Sequence, residues 1–79
     1  MRNLIIEWTS RSVRQTIEDA GRTKMSISDV TGIPYPTLTR KLAGKTEFSF
    51  TELMLIAAAL GVSPSVFTPP PFQKLLVAA

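Results

Sequence analysis

The side chains with the widest chemical reach lie in residues 32–45, GIPYPTLTRKLAGK. Tyr35, Thr37, Thr39, Arg40 and Lys41 supply hydroxyls and cations there, while Leu38 and Leu42 stand four apart, the spacing of a buried helical stripe. Such a stretch suits contact with a partner and does not suit catalysis. The chain has no Cys and no His, which removes disulfides, thiolate nucleophiles, imidazole bases and nearly every zinc site. Its six acids sit singly on predicted polar faces, apart from Glu18 and Asp19, whose side chains diverge on a helix. The four glycines are spread as helix stops and form no phosphate loop. An enzyme is not expected, and no metal, cofactor or small-molecule substrate is implied.

The formal charge of +3 is unevenly distributed. Between Thr9 and Thr46, Arg11, Arg14, Arg22, Lys24, Arg40, Lys41 and Lys45 face only Glu18, Asp19 and Asp29, whereas Lys74 faces Glu47 and Glu52 beyond, and Arg2 and Glu7 cancel. A basic half favours phosphate-bearing partners through counterion release, although an ordinary solvated surface accounts for a charge this small nearly as well.

Seventy-nine residues close one small core, so a single domain over residues 1–79 is expected. A hydrophobic fraction of 44% is globular in character. No apolar run reaches the length of a membrane span, and MRNLIIEW is interrupted by Glu7 before it could serve as a signal core. No predicted helix joins a basic face to a continuous aromatic one, which disfavours a membrane-surface role. The lack of cysteine fits a reducing compartment, so the chain is expected to be soluble and cytoplasmic.

The elements that must position the 32–45 stretch follow from caps and periodicity. NLIIEW, apolar and β-branched, reads as a strand or as a first helical turn, and an extended arm over residues 1–9 is expected. Thr9 or Ser10 offers an N-cap for a first helix carrying Val13, Ile17 and Ala20, which Gly21 ends. Thr23 caps a short second helix with Ile27 and Val30 inward, closed by Gly32. Pro34 and Pro36 set the third helix to begin near Tyr35 or Pro36, and it runs to about Ala43 before Gly44. Ser49 and Glu52 make a capping box for the fourth and most apolar helix. Phe50, Leu53, Met54, Ile56, Ala57 and Leu60 occupy more than one of its faces, which puts it at the centre of the core. Ser63 and Pro64 open a last short helical turn with Val66 and Phe67. The proline-led tail over residues 68–79, ending FQKLLVAA, is apolar enough to pack on this chain or on a second copy.

Two short helices meeting at a glycine turn, with further helices behind, form the helix-turn-helix arrangement. Over residues 10–67 the chain resembles the lambda-repressor-like domains, also called the Cro/CI or XRE group. The likeness rests on TKMSISDVTGIPYPTLTRKLAGK and on FTELMLIAAALGVSPSVF, whose helix, LGVS and short capped turn match the family's ending. The length is similar to that of a small phage Cro-type repressor or of a longer repressor's DNA-binding part.

The resemblance implies an all-α five-helix domain that binds double-stranded DNA sequence-specifically as a transcriptional repressor, of phage or prophage origin. It also implies a homodimer on a palindromic operator. The third helix would lie in the major groove, with Tyr35, Pro36 and Arg40 facing the bases and Thr37 and Thr39 beside them. Arg40 could read guanine O6 and N7 bidentately; its alternatives are a solvated charge or an ion pair with Asp29 or Glu47. Tyr35 and the Thr37 hydroxyl could instead touch phosphate, or the Tyr35 ring could simply cover the core. Phosphate contacts are implied for Thr23 and Lys24 at the second helix start and for Lys41, Lys45 and Thr46 beyond the third, each lysine having a solvated surface charge as its alternative.

Two departures from the family pattern stand out. Where the family often pairs an Arg on the first helix with a Glu ending the third, this chain has Ile17 and Leu42, so an apolar contact is expected. The prolines flanking Tyr35 shorten the start of the third helix and leave fewer side chains to read bases. The competing use of the same fold is protein interaction, as in an antitoxin or a repressor accessory.

Overall fold

The computed structural model describes residues 4–69. In chain order these form α1 (Leu4–Asp19), α2 (Lys24–Thr31), α3 (Tyr35–Leu42), α4 (Phe50–Leu60) and a 3-10 turn (Pro64–Phe67). Among the described residues there is no strand. The architecture is thus all-helical with four α-helices, and the fifth expected helix is a single 3-10 turn. Ser63 opens it by accepting the Ser65 N–H, and Thr68 closes it by donating to the Ser65 carbonyl. Four residues leave no room for an i to i+4 ladder.

The amino terminus departs from expectation. α1 begins at Leu4, so the described part of the expected arm is helical, and Thr9 and Ser10 lie inside the helix and do not cap it. Ile6, Ser10, Val13 and Ile17 fall at steps of four, three and four, one continuous inward stripe. β-Branched residues lower helix propensity only slightly, and burial of that stripe overrides the preference.

The core gathers Val13 and Ile17 from α1, Ile27 from α2 and Leu38 and Leu42 from α3. Ile33, Phe48, Ile56, Ala57 and Phe67 complete it. Ile17 and Leu42 are buried together, in keeping with an apolar contact in place of an ion pair. α2 packs on both α3 and α4, while α1 packs on α3 and the 3-10 turn. Two apolar groups expected inside lie outside it. Val30 is 62% exposed on α2. On α4 only one side is covered, by Leu53, Ile56, Ala57 and Leu60, and the i, i+4 pair Phe50 and Met54 stands 77% and 42% exposed on the other.

The helix boundaries follow the local signals. Thr23 and Ser26 form a reciprocal capping box at α2, and Ser49 and Glu52 do the same at α4. Gly32 takes φ +79° and donates to the Ser28 carbonyl, turning the chain sharply between α2 and α3 in a conformation that disfavours any residue with a Cβ.

Candidate functional site

The site is α3 and the residues that fix its two ends. Ahead of it, the Ser28 hydroxyl donates to the Ile33 carbonyl at 2.6 Å, and the Thr31 hydroxyl accepts the Ile33 N–H at 3.3 Å. Pro34 at the N-cap is extended, with ψ 138°, and Pro36 in the first turn has the φ a helix start needs, so the pair fixes where α3 begins. Leu38 and Leu42 anchor the inward face and are almost fully buried. Helical geometry puts Pro36 and Arg40, four apart, on the opposite face, and both are exposed. Arg40 pairs with neither Asp29 nor Glu47, so its guanidinium is open to a partner.

The carboxyl end of α3 is held from α1. Ser10 donates its hydroxyl to the Lys41 carbonyl at 2.7 Å, and the Arg14 guanidinium donates to the Leu42 carbonyl at 2.7 Å. These carbonyls belong to the last turn, where no intrahelical N–H can reach them, and the Arg14 charge also complements the negative helix end. Gly44 at φ +78° lets Lys45 donate back to the Arg40 carbonyl, which closes the turn.

Lys41 pairs with Glu52 at the start of α4, and the same Glu52 oxygen accepts the Ser49 N–H at 2.7 Å. Burial pushes the Glu52 carboxyl up, but hydrogen bonds from Lys41 and from the Ser49 amide and hydroxyl, with the Lys41 charge, hold it below its ordinary value. Lys41 is therefore placed differently from the expected phosphate clamp. Its side chain is 16% exposed and ties α3 to α4.

The remaining residues divide clearly. Tyr35 is 40% exposed, so its ring does not seal the core. Thr37 and Thr39 are half-buried, and the Thr39 hydroxyl oxygen is buried without a hydrogen-bond partner, which turns that hydroxyl away from a partner's reach. Lys24 is exposed at the first position of α2, next to Thr23, whose hydroxyl accepts the Ser26 N–H at 3.1 Å. Lys45 and Thr46 are exposed just beyond α3. Among the described residues Lys24, Lys45 and Arg40 make no ion pair, whereas Lys41 pairs with Glu52.

Sequence reasoning missed Ser10 and Arg14 as supports of α3. Ser10 carried a readable signal, a hydroxyl on the same helical stripe as Val13 and Ile17, where only a hydrogen-bonded polar group is tolerated. Arg14 carried none, because its partner is a backbone carbonyl 28 residues away.

Among the described residues no helix is long and apolar enough to cross a membrane, and no group of three or more His, Cys, Asp or Glu could hold a metal ion. Residues 13–65 match the family model of the Cro/C1-type HTH DNA-binding domain, a span covering the second half of α1 from Val13 and all of α2, α3 and α4. No curated protein matches the chain.

Proposed function

The chain belongs to the Cro/C1-type helix-turn-helix DNA-binding family, and from that premise we propose that it reads duplex DNA sequence-specifically with α3 in the major groove and represses transcription. One observation carries this reading: the face of α3 opposite Leu38 and Leu42 presents Arg40 exposed and without an ion pair among the described residues. A guanidinium so placed can donate two parallel hydrogen bonds to guanine. Tyr35, Pro36, Thr37 and Thr39 flank it, with a lesser role for Thr39 because its hydroxyl is buried. Within the family, the proposed role is that of a Cro-like repressor of phage or prophage origin.

Thr23, Lys24, Lys45 and Thr46 are proposed to hold the phosphate backbone. Lys45→Ala should weaken binding to all duplexes about equally and make the dependence of log affinity on log salt shallower by roughly 1. Titrations at several salt concentrations measure this, and an unchanged slope removes Lys45 from the interface.

One domain reads few base pairs, so the proposed binding unit is a two-fold dimer on a palindrome with half-sites about one helical turn apart. Sedimentation with a palindromic duplex should give two chains per duplex, and one chain per duplex contradicts the dimer. The candidate dimer contacts are the NLIIEW arm, the end after Phe67 and FQKLLVAA, with packing of both arms on their own chain as the alternative, and FQKLLVAA lies outside the described residues. A protein-interaction use of the fold is the second reading, favoured by the exposed Phe50 and Met54 on α4. It predicts that random duplexes yield no preferred sequence.

A further inference from the structure

Between the start of α1, the segment leading into α4 and the 3-10 turn lies a groove of about 420 Å³. Its walls are largely apolar, formed by Ile5, Ile6, Phe48, Leu53, Phe67 and Pro69. We propose that this groove seats the chain's own carboxyl-terminal segment, FQKLLVAA, residues 72–79. The proposal is independent of the DNA-binding reading, and it withdraws that segment from the candidate dimer contacts.

Three observations lead there. The first is apolar complementarity. Phe48 and Phe67 belong to the buried core, whereas Ile5 on the same groove is 50% exposed, so the groove carries the core's apolar surface outward to solvent. Phe72, Leu75, Leu76 and Val77 give the segment four large apolar side chains in eight residues, and groove and segment both leave water when they meet. The second is reach. Pro69 is the last described residue and also part of the groove wall, so the segment sets out from the site itself. Even with the chain fully extended, Phe72 lies within about 11 Å of Pro69. So short a tether gives an effective concentration on the order of millimolar, which a second copy at micromolar concentration does not match. The third is charge. Lys74 is the one charged residue from Pro70 to Ala79, and the groove is also lined by Glu47, which is exposed and makes no ion pair among the described residues. An exposed pair of this kind adds little affinity, but it matches the sign of the segment to that of its seat.

The experiment uses the full 79-residue chain without DNA. Leu75→Ser combined with Leu76→Ser should lower the melting temperature by about 5 °C or more, the least that burying one large apolar side chain gives a domain of this size. Changing both leucines makes the result independent of which of them enters the groove. Ile5→Ser should then lower the melting temperature less in that variant than in the unaltered chain, because substitutions that share a contact are not additive. In nuclear magnetic resonance spectra of the unaltered chain, short-range Overhauser contacts should join Phe72, Leu75 or Leu76 to Ile5, Ile6 or Leu53. A mixture of isotopically labelled and unlabelled chains should show those contacts within one chain and none between chains.

A melting temperature unmoved by the two leucine substitutions, or equal losses for Ile5→Ser in both backgrounds, overturns the seat. So does the absence of Overhauser contacts between the segment and the groove in the unaltered chain. Contacts found only between labelled and unlabelled chains assign the groove to the segment of a second copy, and that also overturns the intrachain seat.

Discussion

Leu38→Ala should lower the free energy of unfolding by about 2–5 kcal/mol, the range for truncating a fully buried leucine. Leu38 is 0% exposed, and it sits where α3 meets the core shared with α1 and α2. A chain of this length is expected to hold roughly 4–12 kcal/mol in all, so the variant loses a large share of it. With a shift of about 4–8 °C per kcal/mol for domains of this size, the melting temperature should fall by about 10 °C or more. Phe50→Ala is the informative comparison. Phenylalanine is the larger side chain, yet Phe50 is 77% exposed, and its removal should change stability by no more than about 0.5 kcal/mol. Urea or thermal unfolding of the two variants measures both. Equal losses would show that α4 buries the face that here is open.

Arg40→Ala should have the opposite profile. Arg40 is exposed and makes no ion pair among the described residues, so the folded state scarcely changes. Its loss should remove about 1–3 kcal/mol of discrimination at one base pair, a factor of about 5 to 150 in preference. Affinity for unrelated duplex should fall far less, by the share of one surface cation. Lys45→Ala, by contrast, should leave the preference intact and weaken every complex alike. The contrast between the two variants separates base reading from backbone holding, which a single loss of affinity cannot do.

Local signals were readable and long-range ones were not. The boundaries of α2, α3 and α4 follow from Thr23, Gly32, Pro34, Ser49 and Gly61, each of which acts within a few residues of itself. Leu38 and Leu42 were legible as the buried stripe of α3 because an eight-residue helix with two leucines has one apolar side. α4 offered no such choice. Its apolar residues cover most of its circumference, so only the packed structure determines that Ile56 is buried and Phe50 is not. Ile5 and Ile6 read as strand or as a first helical turn, and the stripe that Ile6 extends becomes visible only when α1 is followed through Ile17.

The same division runs through the site. Arg40 as an outward-facing cation could be read from its spacing against the leucines. The pairing of Lys41 with Glu52, 11 residues away in the next helix, could not be read from the chain, and it ties α3 to α4. Arg14 and Ser10 hold backbone carbonyls of α3 across the fold, an arrangement no local pattern encodes. The supports of α3 are thus harder to see in the chain than α3 itself.

The most direct test of base reading by α3 is a selection of bound duplexes from a random pool, run in parallel with the unaltered chain and with Arg40→Ala. The unaltered chain should enrich a shared two-fold sequence containing a fixed guanine in each half, and Arg40→Ala should enrich the same sequence with that guanine no longer fixed. The same fixed positions from both chains, or no enriched sequence from either, would contradict it.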